Sequence, residues 1–270
     1  NIYGSGAITL QPTTASQTIG IGDASTGDYN LSSAEIGYLQ NGFTSITIGR
    51  NDGTGAVDVQ AVTFNDPVTI QSPSGAGSIT VNGQITGSGN ASISLNGSNA
   101  TTLSASIVTA GNAITISDNV VVGASISLDT TNSGGTATGA NIHITGTVDD
   151  SVALQDTLTL RAGTAGDISL DGVVGTTALA NLTITSAHNV TASAGITAGQ
   201  IVKGRVVHIG DSTVSVDIGF KSEGSVPATE YLHDEWRGQR KTPISDSGRW
   251  RGRCCWYRLF GCTVFVFDEA

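Results

Sequence analysis

Methionine is absent from this chain, and cysteine is missing from its first 235 residues, so no disulfide or thiolate metal site is available to that long part. Aromatic residues make up 5% and charged residues 13% of the whole. Both values are low for an enzyme, whose reaction centre draws on such groups. Positive charge is scarcest of all: residues 1 to 200 carry only Arg50 and Arg161 against thirteen carboxylates. A surface so poor in cations repels nucleic acid and anionic membrane. No run reaches the roughly 18 apolar residues of a membrane-spanning helix. The chain opens on Asn1 without a basic and then apolar leader, which points to a processed or partial chain.

Glycine is plentiful, with 36 residues, and Ser, Thr, Asn and Ala are frequent. Disorder is nevertheless excluded, because Val, Ile and Leu recur at regular intervals and can bury a core. A short unit repeats through residues 1 to 196. It appears as "SITIG" (45–49), "PVTIQS" (67–72), "SITVNG" (78–83), "SISLNG" (92–97), "AITISDN" (113–119), "SISLDT" (125–130), "NIHITG" (141–146), "TLTLRAG" (157–163), "DISLDG" (167–172) and "NLTITS" (181–186). Each alternates an apolar residue with a hydroxyl or amide, as a strand with one buried and one wet face does.

The first apolar residues fall at 46, 57, 68 and 79, then at 93, 114, 126, 142, 158, 168 and 182. Two strands per coil give a coil of about 22 residues, within the range of solenoid repeats. Hairpin sandwiches use similar spacings, but dipeptides that suit type I′ turns are scarce and the units share one template. The expected architecture is all-β, a parallel β-solenoid of about nine coils and on the order of 40 Å. Like residues stack on like, so Thr, Ser and Asn are expected to form hydrogen-bonded ladders around an Ile/Val/Leu interior.

These units, with "AGNAITISDN", "LTLRAGTAGDISLDG" and "LANLTITSAHNVTASAGIT", resemble the strand-repeat passenger regions of bacterial filamentous-haemagglutinin-type adhesins and autotransporters. The resemblance covers residues 1–197. It implies a right-handed parallel β-helix, secretion to the bacterial cell surface and a structural or adhesive role. The implied partners are surface glycans or proteins of a host or neighbouring cell, or further copies of the chain.

Residues 198–235 read differently. "GQIVKGRVVHIGDSTVSVDIGFKSEGSVPATEY" (199–231) holds three apolar clusters that predict three antiparallel strands of a small barrel. It is similar to the first half of the OB-fold repeats in bacterial ribosomal protein S-one, which implies a cytoplasmic RNA-binding alternative through Lys203, Arg205, Phe220 and Lys221. Pro227 stands where many RNA-binding members carry a histidine. The tail, 236–270, matches neither pattern. Its five arginines between 237 and 253, three tryptophans and "CCWYRLFGC" are foreign to the preceding parts, as expected at an altered reading frame or a join, and it stays unassigned.

A search for reaction chemistry yields no catalytic or metal residues and no cofactor. Carboxylates stand singly in turns, where Asp and Asn cap backbone groups. "GRNDGTGAVDV" (49–59) faintly suggests a calcium turn, but it does not repeat. His143, between Ile142 and Ile144, is expected outward and solvated, and the other histidines lack metal-ligand spacing. No G-x-S-x-G elbow occurs with a credible acid and base. Sequons at Asn90, Asn96, Asn99 and Asn181 are expected by chance in so Asn-, Ser- and Thr-rich a chain. The leading expectation is a non-enzymatic surface module.

Overall fold

The structure, a computed structural model, describes residues 1–198 and the strand segments Val202–Ile209, Thr213–Asp217, Gly224–Pro227, Cys255–Leu259 and Cys262–Val266. It divides into two compact units, Asn1–Ile196 and Thr197–Ala270.

In the first unit β-branched and Leu residues at every second position set the strands, and Gly, Asn or Asp set the corners. β1 (Ala7–Leu10), β2 (Ile19–Ile21), β3 (Tyr29–Leu31) and α1 (Ser33–Ile36) come before the first full coil. That coil is β4 (Ser45–Ile48), β5 (Val57–Val59) and β6 (Val62–Phe64), followed by β7 (Val68–Ser72), β8 (Ile79–Val81) and β9 (Ile85–Gly87). Next come β10 (Ile93–Gly97), β11 (Thr101–Leu103) and β12 (Ile107–Thr109), then β13 (Ile114–Ile116), β14 (Val120–Val122) and β15 (Ile126–Asp129). β16 (Ile142–Ile144), β17 (Val148–Asp150) and β18 (Thr157–Arg161) precede β19 (Ile168–Leu170), β20 (Val174–Leu179) and β21 (Asn181–Ser186). β22 (Val190–Ala192) and β23 (Ile196–Ala198) start a further coil.

Every third strand pairs in parallel, which gives a solenoid with three faces. Sheet 1 runs β1-β4-β7-β10-β13-β16-β19-β22, sheet 2 runs β3-β2-β5-β8-β11-β14-β17-β20-β23, and sheet 3 runs β6-β9-β12-β15-β18-β21. The six strands of sheet 3 mark six complete coils. The 22-residue period is present between β4 and β7, where Ile46 pairs with Val68. The expected two strands per coil and nine coils are corrected to three and six. The third-face strands are as short as three residues, so Val62–Phe64 and Ile85–Gly87 show little alternation in the sequence.

Register aligns the interior. Ile46, Val68, Ile93, Ile114, Ile142, Ile168 and Val190 stack in one column of sheet 1. Val62, Ile85, Ile107, Leu128, Leu160 and Ile184 do so in sheet 3. The middle coils bury these side chains fully, and each contributes roughly 1.5–3 kcal/mol relative to exposure. At the corners room is scarce: Gly49 has φ +103°, and a Cβ there would collide with the carbonyl oxygen of Gln71 in the next coil.

At the first end of the solenoid a non-repeating segment covers the apolar interior. β3 pairs with β2 at the edge of sheet 2, Ile2 bridges to Leu39, and α1 lies against β6 at the edge of sheet 3. Ser32 and Glu35 form a capping box at the helix start, with the Ser32 N–H donating to the Glu35 carboxylate at 2.9 Å. Ile36, Leu39 and Phe43 are buried over the interior. Asp66, 1% exposed, accepts from the Gly42 N–H at 3.0 Å and fixes the segment that carries Phe43.

In the second unit β24 (Val202–Ile209) pairs antiparallel with β25 (Thr213–Asp217), and β25 pairs antiparallel with β26 (Gly224–Pro227). β27 (Cys255–Leu259) and β28 (Cys262–Val266) complete a five-stranded sheet, β28 lying parallel to β24.

Candidate functional surface

Sheet 1 points an unusually uniform column outward. Thr9, Thr47, Thr69, Ser94, Thr115, His143, Ser169 and Thr191 are in register from β1 to β22. Alternation forces this, since each sits between two inward apolar residues. Neighbouring strands lie about 4.8 Å apart, so eight of them present seven hydroxyls and one imidazole over roughly 34 Å. The side-chain ladders expected from stacking occur at corners instead: Asn82 donates to Asp58 at 2.9 Å and Ser88 to Asn65 at 2.7 Å. Among the described residues, the hydroxyls of the column bond to no neighbouring rung. At strand spacing the short Thr and Ser side chains splay outward, which leaves their donors and acceptors to solvent or a ligand.

His143 lies on this column, half-exposed, and was expected to be solvated. Its Nε2 meets an Asp171 oxygen at 2.8 Å. His188 Nδ1 meets Asp167 at 3.0 Å, and Asn189 donates to the same carboxylate. The His188 bond, then those of Asn189, hold the Asp167 carboxyl below its ordinary range. The two pairs sit on successive coils near one end of sheet 1.

A shallow groove of about 530 Å³ on the outer face of sheet 2 includes Thr26, Asp28, Asp58, Thr80 and Asn82. Asp58 accepts from the Thr26 N–H at 2.9 Å, from Asn82 and from Gln60. Burial pushes the Asp58 carboxyl up, but these hydrogen bonds outweigh burial and hold it below the ordinary value. Asp28 accepts from the Thr18 N–H and hydroxyl. Both carboxylates are thus engaged in holding the 26–28 loop onto the sheet.

Other acids are structural. The Thr101 hydroxyl donates to the Asp118 carboxylate, both of whose oxygens lie 2.9 Å away, and burial pushes that carboxyl above the ordinary range. Asp129 accepts from Thr131 and Ser133 and faces Arg161 at 3.8 Å. Asp150 accepts from the N–H groups of Val152, Gln155 and Asp156, which shapes the loop between β17 and β18. In the "GRNDGTGAVDV" stretch, Arg50 pairs with Asp52 at 2.7 Å. Among the described residues no three His, Cys, Asp or Glu side chains gather as a metal would require. Asp66 and Asp118 were invisible in the sequence because their partners, Gly42 and Thr101, lie a coil away, whereas Asp129 and Asp150 bond within their own loops.

Of the residues assigned to the RNA-binding alternative, Lys203 and Arg205 fall within β24, while Phe220 and Lys221 lie outside the described residues. No helix among the described residues is long and apolar enough to cross a membrane. No family model, curated protein or solved structure matches the chain.

Proposed function

We propose that the first unit is the structural and adhesive module of a secreted bacterial surface protein, non-enzymatic and acting through the outer face of sheet 1. The supporting observation is the unbroken column of eight polar side chains, whose seven hydroxyls bond to no neighbouring rung among the described residues. A flat polar lattice suits the hydroxyls and amides of neutral surface glycans or proteins through many near-equivalent contacts. Right-handed coiling belongs to the same reading, since parallel crossovers are overwhelmingly right-handed.

Binding of the purified chain to intact bacterial and host cells and to immobilised neutral polysaccharides tests this. Combined Thr69→Lys, Ser94→Lys and Thr115→Lys substitutions should lower binding at least tenfold with the circular dichroism unchanged. Binding that persists in this variant, or no binding to any such surface, defeats the proposal.

For residues 199–232 the corresponding proposal is half of an OB-type fold, which the antiparallel order β24-β25-β26 supports. An RNA titration at rising salt tests it, because phosphate contacts weaken steeply with salt. Flat, salt-independent behaviour removes the RNA-binding alternative.

A further inference from the structure

The corner between sheets 2 and 3 in the fifth coil holds two buried acids. Asp150, 3% exposed, ends β17 and takes the inward position that Val81, Leu103 and Val122 hold in the coils before it. Asp156, 6% exposed, stands just before β18 on the same inward side as Leu158. The Asp156 N–H donates to the Asp150 carboxylate at 2.9 Å, which brings the two acids to one corner. Asp150 also accepts from the Val152 and Gln155 N–H groups. Asp156 is served less well: its Oδ1 accepts from the Ser125 hydroxyl at 3.3 Å, and its buried Oδ2 has no hydrogen-bond partner. Arg50 and Arg161, the only Lys or Arg among residues 1–198, are engaged with Asp52 and Asp129. A carboxylate oxygen withheld from water with neither a hydrogen bond nor a counter-charge is costly. The sixth coil already lies over this corner, since the Leu154 N–H donates to the Ala178 carbonyl at 2.7 Å and the Ala180 N–H to the Asp156 carbonyl at 2.8 Å. The corner is thus built within the first unit.

We propose that Asp156 and Asp150 hold a calcium ion inside this corner. Asp156 Oδ2 supplies the oxygen that nothing else engages. Asp150 supplies the second carboxylate, whose oxygens keep lone pairs beyond those spent on the loop N–H groups. Calcium takes hard oxygen ligands in a flexible geometry and completes its shell with main-chain carbonyls and water. Two carboxylates therefore suffice, where a zinc site would draw its ligands from side chains. Their joint charge matches that of a divalent ion, so binding neutralises the corner. Magnesium suits it less, because it demands a near-ideal octahedron and gives up its water reluctantly. An ion here ties the loop between β17 and β18 to the stack.

Titrating calcium into the chelator-treated full chain should raise its melting temperature saturably, and magnesium at the same concentration should not reproduce the rise. Asp156→Asn should weaken calcium binding at least tenfold. Asp52→Asn, in the stretch whose sequence alone suggests a calcium turn, should leave it unchanged. Without calcium the order reverses: Asp156→Asn removes an uncompensated buried charge, so this variant should melt no lower than the unsubstituted chain. Calcium should also slow amide exchange at Gln155 and Asp156 of the unsubstituted chain, a reading that does not depend on any variant folding. The absence of a saturable calcium effect overturns the proposal, as does an effect that survives Asp156→Asn or that magnesium matches. So does an Asp156→Asn variant that melts lower by the same margin with and without calcium, since its carboxylate would then serve the fold alone.

Discussion

The two ends of the solenoid solve the same physical problem differently. Any stack of coils terminates in unpaired strand edges and a bare apolar cross-section. At the first end α1 and the segment to Phe43 cover the cross-section, with Ile36, Leu39 and Phe43 buried, while β1 and β3 remain the terminal strands of their sheets. At the last coil Ile184 and Val190 are left substantially exposed. The contrast teaches that the repeat unit does not supply its own ending. A dedicated, non-repeating segment is needed, and among the described residues β3, α1 and the segment to Phe43 provide it at the first end.

Deleting side chains at the two ends should sharpen that contrast most. Phe43→Ala should cost about 3–5 kcal/mol, as loss of a buried ring does, while Ile184→Ala should cost about 1 kcal/mol or less because its side chain already meets water. Urea unfolding of both variants measures this, and equal costs would erase the distinction between the ends. Next in size is Asp66→Ala, which strands the Gly42 N–H and should cost about 1–3 kcal/mol, with amide exchange at Gly42 accelerated most. Ser32→Ala removes the capping-box hydroxyl, and a loss of about 1 kcal/mol is expected from thermal unfolding.

The smallest effect is in pH. The folded-state carboxyl of Asp58, beside the first end, is held below its ordinary value, so its contribution is present above the unfolded value of about 3.9 and is lost as pH falls through the folded one. Asp118, in the middle of the stack, is shifted the other way by burial. Its penalty is present above its raised folded value and is relieved as pH falls through it. Melting temperature should therefore rise slightly on mild acidification and fall on stronger acidification. Asp118→Asn should remove the rise and Asp58→Asn should lessen the fall, the rest of which belongs to other lowered carboxylates such as Asp167; a profile unchanged by both would contradict these assignments.

Much of the middle of the molecule was readable from residue order. Alternation in "SITIG" or "SISLNG" marks which residues face inward, because a strand's period is two whatever its neighbours are, and the 22-residue step from Ile46 to Val68 is a coil length. The third face was readable only in part: "SISLDT", "TLTLRAG" and "NLTITS" mark β15, β18 and β21, but β6, β9 and β12 were missed. Val62-Thr63-Phe64 and Ile107-Val108-Thr109 each show too few alternations to stand out from turn sequence. The capping box at Ser32 and Glu35 carries a local signal, but its role depends on meeting β6, which only the coiled chain brings near. The same holds for the candidate surface. That Thr69, Ser94 and Thr115 point outward follows from alternation, whereas their alignment in one column depends on corner lengths, and those vary from coil to coil. Asp58 and Asp118 likewise acquire their roles from Asn82 and Thr101, at distances along the chain that no fixed motif encodes.

The cap formed by β3 and α1 also bears on the order in which the molecule assembles. A chain made from its amino end releases the cap and β4–β6 before any later coil exists. Each new coil then docks on the edge left by the coil before it, while the apolar interior at the other end already lies under Ile36, Leu39 and Phe43. Growth is thereby favoured in one direction, because added coils bury new apolar surface only on the uncovered side.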